Sequence, residues 1–338
     1  MSSNKDIMNL VRSMASTDFK ERIPVVTQEN MTTAMEGILE YPNVRNEFIE
    51  VLTNKVAKEI FFTKVYENPF KFFKKGDLPY GKTIEGIFVD LIQAKSFEEN
   101  FGKGDSEATS LLSKEKCNVK VEYYSENFKH KYKMTISNSE LKGAFYSEGG
   151  LQRLINKLVI SPTNSAEHDE FLLMKNLICN TAMKEHTIEG YKTLDEDKQA
   201  KKLTKVIKTK VAQFKFLGNK FNRQKVMTFT NPSEVVIFVT PETKSNLDVE
   251  LLASAFHLNN AEMEGRLLLI DEFITSTGEV DNDTIAVVAD ENILQFYDTE
   301  KATENFRNGD KLYTNTFHHR WGIACSCGFV NAIKIKQS

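Results

Sequence analysis

The sequence has few of the residues on which disulfide-bonded proteins and membrane proteins depend. Its 338 residues include only four cysteines, too few and too scattered for a disulfide framework. No run of about eighteen apolar residues is present, which argues against a membrane-spanning helix. The first twenty residues lack the apolar core and cleavage pattern of a secretory signal. We therefore expect a soluble protein, made in the cytoplasm, with reduced thiols.

The chain also lacks an excess of positive charge. Its formal net charge is -3, which argues against tight, sequence-independent binding of nucleic acid as its main activity. No internal repeat or low-complexity segment is found, so solenoid architectures are excluded. With 41% hydrophobic and 27% charged residues, the composition is that of an ordinary globular protein.

Apolar residues recur at helical spacing in several parts of the chain. The clearest stripe, Phe48, Leu52, Val56 and Ile60, predicts a helix with one buried face. Pro162 interrupts another such pattern, which resumes after it. The predicted helices cover residues 5–14, 28–40, 46–66, 166–184 and 198–217.

Strand patterns surround these helices. Residues 81–136 hold two alternating, strongly charged runs around a Gly-containing polar tip, which predicts a long two-stranded arm. Such an isolated ribbon is marginally stable in water, so we expect it to lie against another surface. Thr240 and Pro241 are suited to the N-cap and first turn of a helix that follows a buried strand. Buried strands are predicted at residues 235–239, 267–270 and 284–289, with a strand-rich return at 317–336.

The order of these segments resembles the major capsid proteins of tailed bacteriophages, which have the Hong Kong 97-type fold. The likeness is greatest to those of small short-tailed phages with prolate heads. No short motif defines the family, so the ordered set carries the resemblance. Some relatives append an immunoglobulin-like domain, for which this sequence has no matching segment. The matching segments are NPFKFFKKGDLPYGKTIEGIFVDLIQAKSF, EVVIFVTPETKSNLDVELLASAF, RLLLIDEF and the stretch from TIAVVADEN to VNAIKIK.

The resemblance implies an α+β capsid fold with an N-terminal arm, an extended loop, a peripheral domain with a spine helix, and an axial domain. The implied division is an N-terminal arm at 1–45, peripheral segments at 46–80, 137–190 and 296–338, an extended loop at 81–136 and an axial domain at 191–295. Phe329 to Ile333 read as a buried terminal strand, which we expect in the core of the peripheral domain.

The resemblance also implies a function. Subunits of such proteins assemble into pentamers and hexamers of an icosahedral or prolate head that encloses double-stranded DNA. The implied partners are further copies of the chain, scaffolding and portal proteins, and packaged DNA held on the inner face without sequence specificity. The implied location is the virion, after assembly in the host cytoplasm, with no membrane, cofactor or enzymatic activity. Within the extended loop, the candidate inter-subunit contacts are Phe97, Phe101, Lys103, Asp105, Tyr123, Phe128 and Tyr132.

Three alternatives remain open at this stage. A C-terminal group of His318, His319, Cys325 and Cys327 has the side chains that bind zinc, although a Cys-x-Cys spacing among apolar neighbours favours buried thiols. His168, Asp169 and Glu170 resemble an acid/base cluster, but consecutive helical residues point in different directions, which favours a solvated helix start. An encapsulin shell protein uses the same fold.

The basic run of Lys201, Lys202, Lys205, Lys208 and Lys210 favours the polar face of a helix over a phosphate track.

Overall fold

The computed structural model describes residues 4–52, 66–79, 81–92, 116–147, 149–247 and 266–338. The helices of these ranges are α1 Asn4–Met14, α2 Thr17–Arg22, α3 Met31–Glu40, α4 Pro42–Val51, α5 Asn138–Tyr146, α6 Gly150–Ile155, α7 Ser161–Asn180, α8 Glu196–Phe214 and α9 Pro241–Asn246. The strands are β1 Lys74–Asp77, β2 Ile84–Val89, β3 Val119–Tyr124, β4 Phe128–Ser137, β5 Lys184–Ile188, β6 Val235–Val239, β7 Leu267–Leu269, β8 Thr284–Asp290, β9 Leu294–Asn308, β10 Tyr313–Ser326 and β11 Ala332–Gln337.

The N-terminal helices pack within the chain. Apolar residues of α1 to α4 share one buried cluster with residues of α5 and α6. The buried side chain of Asn4 donates hydrogen bonds to the carbonyl oxygens of Phe145, at 3.1 Å, and Ser147, at 2.9 Å. Residues 4–40 therefore form a helical layer on the body of the same chain, because their apolar stripes pack against α5 and α6.

A long helical rod runs from α6 into α7. The two helices are joined by a turn of π-helix, Asn156–Ile160, directly before Pro162. A proline removes one backbone donor, and a π turn just before it is one way for a helix to accommodate that loss. The predicted interruption at Pro162 is thus a local irregularity, and α7 begins at Ser161 rather than at residue 166.

α7 packs against a four-stranded sheet with the strand order β1-β9-β10-β4. β10 pairs antiparallel with both β9 and β4. Residues 128–136, predicted as part of the two-stranded arm, instead lie in β4, which pairs with β10 and not with β3.

A five-stranded sheet with the order β5-β11-β8-β6-β7 forms the second body of structure. Every residue of β6 is buried, and α8 covers one face through Leu203, Ile207, Val211 and Phe214. Thr240 caps α9 as predicted, accepting a hydrogen bond from the amide of Thr243 at 3.3 Å. β11 lies in this sheet between β5 and β8. The predicted buried terminal strand is therefore part of the five-stranded sheet.

Candidate assembly surfaces

β2 and β3 form a separate two-stranded ribbon whose outward face is apolar. Antiparallel pairing places Ile87 opposite Val121 and Val89 opposite Val119. The exposed fractions are 61% for Ile87, 54% for Val89, 50% for Val119 and 40% for Val121, and Tyr123 reaches 68%. Exposure of an apolar face to water costs free energy, which makes this face a candidate contact surface.

The inward face of the ribbon carries Ile84, Gly86 and Phe88 from β2 and Lys120, Glu122 and Tyr124 from β3, and its hydrogen bonds centre on Glu122. Its carboxylate accepts hydrogen bonds from the amide of Gly328 and from Arg223, both at 2.9 Å, and from Gln224 at 2.5 Å. The hydroxyl of Tyr124 also donates to it. Burial alone would raise the pKa of Glu122, but these hydrogen bonds outweigh it and lower the pKa from 4.5 to about 2. Glu122 is therefore ionised at neutral pH, and it ties the ribbon to two distant loops.

Two further contacts hold the same inward face. The ring of Phe88 stacks on the ring of Phe329, with centroids 5.7 Å apart. The ammonium group of Lys120 donates to the carbonyl oxygen of Gln224 at 2.6 Å. At Gly328 the approach is so close that a Cβ atom would lie 2.3 Å from a Glu122 oxygen. The ribbon is thus anchored through its inward face, which leaves the apolar outward face uncovered in the single chain.

The structure separates the predicted contact residues. Phe97, Phe101, Lys103 and Asp105 lie outside the described residues. Tyr123 lies on the outward face of the ribbon with the four aliphatic residues named above.

The other two candidates lie in β4. Phe128 is 2% exposed and packs edge-on against Phe296 at 5.8 Å. Tyr132 is half-buried and donates to Asp169 at 2.6 Å; burial and this hydrogen bond raise the pKa of the Tyr132 phenol. Phe128 belongs to the core of its own chain, and we leave it out of the proposed contact set.

Ile87 and Val89 were missed because sequence reasoning placed no contact in the first strand of the ribbon. The available signal was the apolar alternation of Val119 and Val121, which pair with them across the ribbon. Glu122 was missed as an anchor as well. Its partners lie about 100 and 200 residues away in sequence, so no local pattern identifies it.

The C-terminal cysteine and histidine residues do not converge. His319 and Cys325 are six residues apart on β10, a separation of about 20 Å along a strand. Burial, with a smaller contribution from Cys327, raises the pKa of Cys325 to about 12, so the thiol stays protonated. The ring of His318 hydrogen-bonds the carbonyl oxygen of Leu158 at 2.7 Å, and burial lowers the pKa of this imidazole. Across the described ranges, no cluster of three or more His, Cys, Asp or Glu side chains is arranged to hold a metal ion.

The residues of the predicted acid/base cluster also diverge. Asp169 accepts from Tyr132, whereas Glu170 accepts from Lys74 at 2.9 Å and is 1% exposed. The prediction that these consecutive side chains point in different directions is confirmed. The expectation of a solvated helix start is wrong for Glu170, because the helix begins nine residues earlier and Glu170 faces the sheet.

The basic run divides between two environments along α8. Lys201 and Lys205 are exposed, as a solvated helical face requires. Lys210, one turn from the C-terminal end of α8, lines a cavity of about 410 Å³ together with Lys184 and Lys220. Among the residues with described positions, no helix is both long and apolar enough to cross a bilayer.

Comparison with known proteins gives consistent matches over nearly the whole chain. The family model of the Phi29-like phage major capsid protein matches residues 8–336. The major capsid protein of Bacillus phage B103 is 32% identical over 333 residues, which cover 97% of this chain and 72% of that protein. That of Bacillus phage GA-1 is 30% identical over 340 residues, covering 98% and 69%. The capsid structure of Staphylococcus phage Andhra superposes with a TM-score of 0.66 at 14% identity, covering 82% of this chain and 86% of that one.

Proposed function

The chain belongs to the Phi29-like phage major capsid protein family, and from that premise we propose that the outward face of the β2–β3 ribbon joins its copies in the head shell. Family and fold confirm the structural hypothesis of a Hong Kong 97-type capsid subunit that forms the shell of a phage head. They do not support the enzyme or the encapsulin alternative.

The observation that carries this proposal is the reversed polarity of the ribbon. A two-stranded ribbon in a single subunit normally buries its apolar face and exposes its polar one. Here Glu122, in β3, faces the body, and Ile87 and Val121 face outward. Apolar burial is non-directional and proportional to area. The exposed set therefore gains free energy when a neighbouring copy covers it.

The same premise supports a division of labour within the chain. We assign the rod from Gly150 to Asn180 as the spine helix and the four-stranded sheet as the peripheral domain. The five-stranded sheet with α8 is assigned as the axial domain, around which pentamers and hexamers form. The extended loop is assigned to residues 81–127, shorter than the sequence indicated, because β4 belongs to the peripheral sheet. Tyr123 stays in the contact set; Phe97, Phe101, Lys103, Asp105 and Tyr132 remain candidates.

We extend the proposal to partners beyond the shell itself. Family membership supports scaffolding and portal proteins as assembly partners, packaged double-stranded DNA on the inner face, and assembly in the host cytoplasm. The net charge of -3 is in keeping with DNA contacts that are weak and independent of sequence.

The test is a charged pair at the centre of the outward face. Ile87→Lys with Val121→Glu places an opposite-charge pair across the ribbon, which keeps its strands paired, where apolar contact with a neighbour is required. We expect thermal unfolding of the dilute chain to stay close to wild type, because both side chains are exposed, and closed shells to be lost in negative-stain electron microscopy.

The matched control is Ile87→Val with Val121→Ile, which keeps the face apolar and exchanges the two side chains. This variant should assemble as wild type does. Normal shells from the variant with Ile87→Lys and Val121→Glu would remove the ribbon face from the proposal while leaving the family assignment intact.

A further inference from the structure

Two cavities at opposite ends of the five-stranded sheet are lined by opposite charges. At the first end, where β5 and β11 begin, the cavity of about 410 Å³ is lined by Lys184, Lys210 and Lys220, with Asn331 and Phe216 beside them. Within the described ranges none of these three lysines has a carboxylate partner in an ion pair. We call this set the basic end.

The side chains at the basic end have unmet interactions. Burial lowers the pKa of Lys210, and the charge of Lys184 lowers it further. Asn331 is 2% exposed, yet its Oδ1 accepts no hydrogen bond from the described part of the chain. Phe216, at the rim, is 74% exposed. A ligand for this cavity therefore needs negative charge and some apolar surface, as an acidic peptide segment has.

The other end of the sheet presents such a segment. A second cavity, of about 500 Å³, lies where β6 and β11 end and β8 begins; it is lined by Glu242, Asp271, Glu272, Val280 and Asp281. In the described ranges the buried Lys175 pairs with Asp271 and Glu272, and Lys192 pairs with Asp283 at 2.9 Å between exposed side chains. We call this set the acidic end. Its exposed turn continues from Glu279 through Val280, which is 48% exposed, to Asp283.

The two ends are about 20 Å apart, because Asn331 and Gln337 mark them six residues apart along β11. A contact between two different patches on identical subunits is heterologous, and repetition of such a contact closes a ring when the rotation allows it. Opposite charges on the two patches also fix their order and disfavour like-to-like encounters.

We infer that the acidic end of one copy, through the segment from Glu279 to Asp283, docks on the basic end of the next copy around each ring. The inference rests on the proposed function and adds the residues that join neighbouring axial domains. The lysines contact the incoming carboxylates, and Phe216 contacts Val280.

Charge reversal tests this pairing. One variant, Lys210→Glu with Lys220→Glu, reverses the basic end. A second, Glu279→Lys with Asp283→Lys, reverses the docking segment, in which Asp281 is then the one carboxylate left, at the loss of an exposed ion pair between Asp283 and Lys192. Each variant alone should lose rings and shells in electron microscopy and light scattering, because every contact then joins like charges. The variant with all four substitutions should recover both.

An equimolar mixture of the two singly reversed variants gives a sharper result. One variant then has two negative ends and the other two positive ends, so complementary contacts form only when the two variants alternate around a ring. Strict alternation needs an even number of subunits, which a ring of six has and a ring of five does not. We expect hexameric rings and open or tubular assemblies, without closed shells.

The controls are Lys205→Glu, on an exposed turn of α8 away from the cavity, and Asp310→Lys, at the turn between β9 and β10. Both should assemble normally. Thermal unfolding of each variant establishes that it is folded.

Normal assembly by either singly reversed variant, or no recovery in the folded four-substitution variant, would overturn the pairing. In both cases wild-type shells show that the proposed function still holds. A wild-type chain that never assembles contradicts the proposed function instead. Should a double variant unfold, Lys210→Gln and Glu279→Gln replace it, each expected to lower the assembly rate and its dependence on salt.

Discussion

Replacing Glu122 by glutamine should release the ribbon from the body of the subunit. The side chain is 9% exposed, and four groups donate to its carboxylate, those of Tyr124, Arg223, Gln224 and Gly328. A glutamine is neutral and presents two N–H groups where the site supplies only donors. One amide hydrogen would then face another donor, and Arg223 would lose its counter-charge.

The magnitude follows from the pKa of Glu122. One pH unit in pKa corresponds to about 1.4 kcal/mol. Lowering the pKa from 4.5 to about 2 therefore favours the ionised form in the docked state by about 3 kcal/mol. Because glutamine keeps one acceptor oxygen, we expect Glu122→Gln to destabilise docking by roughly 2 to 3 kcal/mol at pH 7.

The pH dependence has a definite sign. A carboxylate whose pKa is lowered in the folded state stabilises that state above its unfolded value and loses the effect as the pH falls through its folded value. The difference in the free energy of ribbon docking between wild type and Glu122→Gln should thus reach its full value above pH 4.5 and shrink towards zero near pH 2.

Native-state hydrogen exchange of the β2 and β3 amides measures this opening directly. Glu85→Gln is the matched control, because Glu85 lies on the outward face of the same ribbon and is exposed. Faster exchange in Glu122→Gln but not in Glu85→Gln is the expected result. Equal exchange at pH 7, or a difference that persists unchanged at pH 2, would refute the assignment of Glu122 as the anchor.

Two further substitutions probe the same anchor and the core. Gly328→Ala should also speed ribbon exchange, since its Cβ atom would lie 2.3 Å from a Glu122 oxygen and 3.0 Å from Arg223, whereas Gly309→Ala has open space around it and should change nothing. Ile333→Asp should cost several kcal/mol in urea unfolding, because the site is fully buried among apolar side chains; soluble, normally assembling protein would contradict the core placement.

Elements with strong local signals were predicted well from sequence. The strand at residues 235–239 matches β6 at both ends because a continuous run of β-branched and aromatic residues stops at Thr240 and Pro241. The α8 stripe through Leu203 and Phe214 was likewise found at its helical period. In these cases the chemistry that forms the element lies within a few residues of it.

The sequence did not predict which strands pair with each other when the partners are far apart in the chain. β4 alternates as a ribbon strand would, but its neighbour is β10, so its place in the four-stranded sheet is decided by residues 313–322. β11 reads as a buried strand, yet sequence does not say which sheet buries it; the pairing with β5 and β8 does. The N-terminal helices show the same dependence, since their stripes are covered by α5 and α6.

The ribbon combines both effects. Alternation in β3 establishes that Val119, Val121 and Tyr123 share one face and Glu122 the other, but it does not say which face turns inward. The usual expectation, apolar side in, is reversed because Arg223, Gln224 and Gly328 supply enough donors to bury a carboxylate without leaving it unpaired.

This reversal divides the work of assembly between two kinds of interaction. Hydrogen bonds to Glu122 are directional, so they set the orientation of the ribbon before any neighbour arrives. Apolar contact through Ile87 and Val121 is non-directional, so it stabilises whichever surface the ribbon is aimed at. A ribbon already oriented loses less conformational entropy on binding, which leaves more of the apolar free energy for association. The hydrogen-bonded anchor at Glu122 therefore acts before association, and the apolar outward face acts on association, which is why the two differ in chemistry.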